Sequence, residues 1–193
     1  MAQNNLKTIA ASALLFLLAL FALSCASRPP AASTYPLLQK TVQTADGALS
    51  GRIPAGWNSA SSDTLPSGVA AWLVSDDRAA FMVIREINLD QPASQRVLQG
   101  GLDLLARLSI ALRSDSTRPA AAVPVQSSVL NNVSVRSYEM TSGGEWRNVI
   151  VLMMKGRCYE CEANVAKGTP EVTRRVAEAQ KAFCGSLTTS SRE

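Results

Sequence analysis

The groups in this chain best suited to chemistry are its four cysteines, Cys25, Cys158, Cys161 and Cys184. Cys158-Tyr159-Glu160-Cys161 has the two-residue gap of a dithiol redox pair. Such a pair works when its first thiol opens a helix, whose dipole favours the thiolate. There is no histidine anywhere. That removes every mechanism built on an imidazole base or ligand, including Ser-His-Asp and Cys-His nucleophilic sites and His-ligated zinc. Three cysteines at the remaining spacings supply too few ligands for a metal centre, so neither a metal nor a cofactor is expected.

Glu160 and Glu162 could act as a carboxylate pair or hold a cation, but on a strand they share one face, and a solvated face is the expected reading. Asp76 and Asp77 suit a turn, where aspartate bonds its own backbone. Trp57, Trp72 and Trp146 could line a ligand groove; core or hairpin packing is the simpler expectation for each. Thr173-Arg174-Arg175 and Lys181 could touch anionic head groups, although such a run is usually the wet face of a helix. No glycine-rich loop has the spacing that cradles phosphate, and Gly100-Gly101 reads as a place for close helix–sheet contact. The net charge of +4 is scattered along the chain, which is no footprint for nucleic acid.

The elements that position these residues follow from periodicity and turn chemistry. Lys40–Thr44 and Leu49–Ile53 flank Ala45-Asp46-Gly47, a hairpin signal. Ala70–Ser75 and Ala79–Leu89 flank Asp76-Asp77-Arg78, a second hairpin. In its second strand Phe81, Val83, Ile87 and Leu89 alternate with Ala80, Met82 and Ile84, so both faces are apolar and the strand should be central. Asp90-Gln91-Pro92 opens a helix, with Leu98, Leu102, Leu105, Leu108 or Ser109, and Leu112 as its apolar stripe and Arg107 and Arg113 solvated. Turns at Asn131-Asn132, Gly143-Gly144 and Gly156-Arg157 separate a meander over 125–130, 133–140, 146–155 and 157–165. A last helix spans about Pro170 to Cys184, with Val172, Val176, Ala179 and Phe183 inward. Strands punctuated by two helices make an α+β domain with an antiparallel sheet.

Residues 9–23 carry no charge behind Lys7. Fifteen helical residues rise about 22 Å, short of the ~30 Å needed to span a bilayer, which is the pattern of a secretory signal; an uncleaved anchor helix is the alternative. Phe21-Ala22-Leu23-Ser24-Cys25 resembles the lipobox of bacterial lipoproteins, in a looser form with Leu at −2 and Ala at −3. The resemblance implies cleavage after Ser24 and acylation of Cys25, with three chains holding the protein to a bilayer. Ala26, where Asp would retain a protein at the inner membrane, implies the outer membrane facing the periplasm, otherwise the cell membrane. The expected domains are therefore a signal peptide over 1–24, lipidated cysteine and tether over 25–37, a globular α+β domain over 38–187 and a polar tail over 188–193. Residues 26–36, rich in proline and small side chains, reach about 30 Å as a tether.

Export implies an oxidising compartment, where a disulfide is the default. Strand alternation places Tyr159, Cys161 and Ala163 on one face and Cys158, Glu160 and Glu162 on the other. The first face is the one the last helix would cover, so Cys161–Cys184 is the expected bridge and Cys158 the thiol left over. Cys158–Cys184, Cys158–Cys161 and no bridge remain as alternatives.

The opening strand, Gly51-Arg52-Ile53-Pro54-Ala55-Gly56-Trp57, the paired strand ending Ile87-Asn88-Leu89 and the leucine-rich helix together resemble the PsbP-like fold, over most of Gln39 to Leu187. That group includes the photosystem II accessory subunit and bacterial DcrB-like lipoproteins. The expectation is a non-enzymatic lipoprotein whose domain binds a protein or envelope component, with no nucleic-acid partner. A thiol–disulfide oxidoreductase using Cys158 and Cys161, or a small-ligand carrier with a tryptophan-lined groove, are the alternatives.

Overall fold

Tight turns set the strand pairing. In the first, Asp46 Oδ1 accepts from the Ala48 amide at 3.0 Å and from Thr44 Oγ1 at 2.6 Å, closing β1 (Leu37–Gln43) onto β2 (Leu49–Pro54). Asp77 plays the same part, accepting from Ser75 Oγ and the Ala79 amide, between β4 (Val69–Ser75) and β5 (Ala80–Glu86). Asn131-Asn132 and Gly143-Gly144 both adopt positive φ at successive positions, the twist that two-residue hairpins prefer. They join β6 (Gln126–Leu130), β7 (Val133–Ser142) and β8 (Glu145–Met154), and Lys155-Gly156 turns the chain into β9 (Arg157–Val165). The computed structural model describes residues 33–61, 65–114 and 123–190. The signal peptide expected over 1–24, the lipidation site Cys25 and most of the tether lie outside the described residues, as does the end of the polar tail.

A seven-stranded antiparallel sheet runs β3-β4-β5-β9-β8-β7-β6, with β3 spanning Trp57–Ser59. The structure thus has the expected α+β architecture, and β5 is central as expected, with Met82, Val83 and Ile84 all buried. One helix covers each face. α2 (Pro170–Gly185) packs Val176, Ala179, Phe183 and Cys184 against Leu73, Met82, Ile84, Ile150, Tyr159 and Cys161. α1 (Gln91–Ala111) packs Val97, Leu105, Ala106 and Ile110 against Tyr138, Met140, Val149, Val151 and Cys158. Both helices start as the sequence indicates: Asp90 accepts from the Ala93 amide at 2.8 Å, Thr169 from Val172 at 3.4 Å, and proline sits in each first turn.

A short turn at Ala55-Gly56 carries the chain from β2 into β3, which joins the other sheet. Two local readings are corrected. Thr188–Thr189, read as the start of the polar tail, forms β10, pairing with Ser50 and Leu49 of β2 to complete a three-stranded sheet. The leucine stripe of α1 holds in part: Leu105 and Ser109 are buried and Leu102 packs on the core, but Leu98 is 66% exposed with Val97 buried in its place, and Leu112, past the helix end, is 80% exposed. The reason for the shift at Leu98 is Gly101, at φ 65°, ψ −161°, a conformation open to glycine and costly for other residues. It breaks α1 and resets its phase; a Cβ there would meet nothing within 4 Å, so the glycine serves the kink and not a close helix–sheet approach.

Candidate functional site

The described chemistry converges on β9, whose alternation sends each side chain toward one helix or the other. Toward α1 project Cys158, Glu160 and Glu162; toward α2 project Tyr159, Cys161 and Ala163. Because α1 covers the first face, the two glutamates are buried, at 6% and 5% exposure. The expected solvated face is therefore a closed polar cluster. A buried carboxylate must find a positive partner or several donors. Arg85 of β5, directly opposite Glu160 in the ladder, donates to Glu162 Oε2 at 2.8 Å and lies 3.7 Å from Glu160 Oε1. Arg113, just past the end of α1, donates from Nη2 to Glu160 Oε1 and, at 3.0 Å, to Glu162 Oε2. Its Nη1 donates to the Ser109 carbonyl and Oγ. Ser109 Oγ in turn donates to Glu160 Oε2 at 3.0 Å and lies 2.7 Å from the Tyr138 hydroxyl.

The expectation that Arg113 is solvated is thus overturned: it is a largely buried counter-ion. Arg107 is exposed and donates to the Val123 carbonyl at 3.0 Å. Burial pushes the Glu162 carboxyl up, but Arg113 and Arg85 outweigh it and hold the group below its ordinary range. Burial likewise opposes the charge on Arg113, and Glu160 more than restores it. Burial raises the Tyr138 phenol, so the ring is a neutral hydrogen-bonding wall. Two glutamates against two arginines leave the cluster neutral, with both Glu160 oxygens and Glu162 Oε2 engaged. Arg85, Ser109, Arg113 and Tyr138 escaped the sequence reading; the one available signal was that a central strand covered on both faces must bury its acids.

Cys158 and Cys161 face opposite sides of the sheet, Cys158 in the α1 core and Cys161 in the α2 core. Burial raises the Cys158 thiol, the reverse of what a redox nucleophile needs. Cys161 and Cys184 meet in the α2 core in hydrogen-bonding contact, 0% and 4% exposed. Among the described residues no group of three or more His, Cys, Asp or Glu side chains could hold a metal ion.

The tryptophans do not share a groove. Trp72 meets Phe81 edge to face at 6.2 Å, Trp146 donates to Glu139 at 3.3 Å, and Trp57 is 5% exposed in the α2 core. Trp57 also backs a cleft of about 220 Å³, walled by Tyr35, Val172 and Val176 and rimmed by Asp76, Asp77 and Arg175. Its polar rim is internally engaged, with Asn58 Nδ2 donating to Asp76 at 2.6 Å and Arg175 3.7 Å from Asp77. Among the described residues no helix is long and apolar enough to cross a membrane.

No protein-family model matches this chain, and no curated protein is similar to it in sequence. Solved structures do share its fold. The solution structure of cyanobacterial PsbP (CyanoP) from Synechocystis superposes with a TM-score of 0.53 at 9% identity, over 86% of this chain and 99% of that one. The crystal structure of the Saccharomyces cerevisiae Ran-binding protein Mog1p gives 0.50 at 10%, over 79% and 96%. A Bacteroides thetaiotaomicron protein gives 0.50 at 12%, over 79% of this chain, which spans about half (49%) of that protein's length. At these identities the likeness shows the fold alone: an α+β, PsbP-like domain.

Proposed function

We propose that this protein is an exported lipoprotein, anchored through Cys25 in a bacterial envelope membrane, whose α+β domain is a non-enzymatic binding or accessory module for a protein or envelope component. The outer membrane facing the periplasm is the membrane favoured by Ala26. The observation that carries the reading is Leu23-Ser24-Cys25 directly behind an uncharged apolar run, ahead of a proline-rich segment that leads into a folded domain. Where the described chain begins it is already fastened: Ser33 Oγ donates to the Glu178 carbonyl and the Tyr35 hydroxyl to that of Ala55.

The site geometry supports a binding role. The glutamates are neutralised by the domain's own arginines, so their chemistry goes into holding α1 on the sheet. The two thiols of the C-x-x-C sequence cannot meet across β9, which speaks against the oxidoreductase alternative. Trp57 and Trp72 line separate clefts, of about 220 and 390 Å³, so no common tryptophan-lined groove exists among them, which speaks against the carrier. One neighbour of this fold is named for binding Ran, a precedent for protein recognition on this scaffold.

The reading is tested by growing cells with an alkyne-bearing fatty acid and comparing the parent with Cys25→Ser. The parent should carry the label and stay in the pellet after a carbonate wash; the variant should carry none. Equal labelling of both would overturn the anchor. Insulin reduction by the parent above background would overturn the non-enzymatic part.

A further inference from the structure

We infer that Cys161 and Cys184 close an intrachain disulfide that staples α2 to the central strand β9, leaving Cys158 as a single buried thiol on the far side of the sheet. The inference starts from how the two residues are held. Gln180 is 0% exposed and lies one helical turn before Cys184. Its Nε2 donates to the Cys161 carbonyl at 2.7 Å and the Asn148 carbonyl at 3.0 Å, while its Oε1 accepts from Asn148 Nδ2 at 2.8 Å. Residues four apart on a helix stand one above the other. The clamp that ties Gln180 to the backbone of Cys161 therefore delivers Cys184 to the Cys161 side chain, where the two are in hydrogen-bonding contact. Both belong to one apolar core, among Ile84, Ile150, Ala179 and Phe183. Cys158 belongs to the other, with Val97, Val149 and Val151. The sheet lies between, so neither Cys158–Cys161 nor Cys158–Cys184 can form without breaking β9 from its neighbours.

The chemistry is thiol–disulfide exchange with a small-molecule or protein disulfide as oxidant. One thiolate attacks the donor's sulfur, forming a mixed disulfide and releasing one donor thiol. The second thiolate displaces the other donor thiol, so two electrons pass to the donor and the two protons leave the chain for the released thiolates. Burial raises the Cys184 thiol and withholds the thiolate in the folded state, so closure belongs to folding, before α2 seats. The same burial then shields the bond from reductant. The claim concerns the geometry of the pair; it rests on the export reading only for the supply of oxidant in the cell.

The test uses full-length protein in detergent, reduced in denaturant and refolded in a defined mixture of reduced and oxidised glutathione. Free thiols are then alkylated under denaturing conditions and peptides mapped without reduction. The expected result is a Cys161–Cys184 linked peptide in most molecules, with Cys158 alkylated or carrying glutathione. Cys158→Ala should close the same bond. Reducing the closed protein should lower Tm by about 10 °C, as loss of a 23-residue loop closure implies for a chain this size. Folded, reduced protein in the same mixture should close at least tenfold more slowly than the refolding chain. Recovery of Cys161 and Cys184 as free thiols after refolding, or a link through Cys158, would overturn the inference. Because the oxidant is supplied in the tube, neither result depends on whether Cys25 is acylated, which the labelling experiment decides.

Discussion

Arg113 reaches back from just beyond the end of α1 to donate to Glu160 in the middle of β9, two elements separated by a sheet's worth of chain and joined by one buried ion pair. Glu162 shares the same guanidinium at 3.0 Å. This contact fixes the far end of a helix that Gly101 has already broken in two, and the first prediction follows from it.

Arg113→Ala strips Glu160 of its nearest counter-ion and leaves Arg85 at 3.7 Å as the remaining one. Removing one partner of a buried ion pair is strongly destabilising, by about 3–5 kcal/mol; with Arg85 left to offset part of it, urea unfolding should show a loss of about 3 kcal/mol. The double change Arg113→Met with Glu160→Leu removes both charges and should recover at least half of that. A single-variant loss below about 0.5 kcal/mol would mean the cluster is dispensable.

The same cluster sets an acid limit. The Glu162 carboxyl titrates lower in the folded chain than in the unfolded one, so its contribution is fully present above the unfolded value, near pH 4.3, and is lost as pH falls through the folded value. Stability should therefore decline from about pH 5 downward. Burial raises Asp46, but its bonds from Thr44, Ala48 and Arg157 together outweigh it and bring it to about 2, which extends the decline toward that pH. In Glu162→Gln the slope between pH 5 and 3 should be shallower than in the parent. Parallel curves would contradict the assignment.

Gly101 tests the kink. With φ 65° and ψ −161° and open space where a Cβ would stand, Gly101→Ala meets backbone strain without a clash, and a cost of about 1–3 kcal/mol is expected. A neutral or stabilising alanine in thermal melts would show that α1 can run straight, with the leucine stripe turned inward.

Gly51 tests the α2 side. A Cβ on Gly51 would stand 2.8 Å from the Phe183 ring and 2.9 Å from Leu187. Gly51→Ala should cost about 1–3 kcal/mol by overpacking, and adding Phe183→Leu should cost less in that background than in the parent. Additive losses in the double variant would place the strain elsewhere.

How much of this was legible in the chain depends on the range of the interaction. The Asp46 and Asp77 turns, the Asn131-Asn132 and Gly143-Gly144 hairpins, the cap at Asp90 and the first-turn proline Pro170 are local, and their residues announce them. So is the alternation of β9, which put Cys158 and Cys161 on opposite faces. What escaped needed tertiary knowledge. Glu160 and Glu162 look like a wet strand face until both helices are seen to cover both sides of the sheet, and Arg113 looks like a solvated helix end until its partner appears 47 residues on. The α1 stripe holds at Leu102, Leu105 and Ser109 and fails at Leu98, because a periodicity count runs straight through a glycine that resets the helix phase, and at Leu112, which lies past the helix end. Trp57–Ser59 and Thr188–Thr189 are too short to carry a period at all.

The central claim is that an acyl anchor at Cys25 makes this domain a tethered envelope module, and the mass of the intact protein extracted from membranes tests it most directly. The account predicts a polypeptide that begins at Cys25, heavier than its sequence by a thioether-linked diacylglyceryl group and a third acyl chain. A species that still begins at Met1 with unmodified Cys25, or a processed chain with no added lipid, would contradict it.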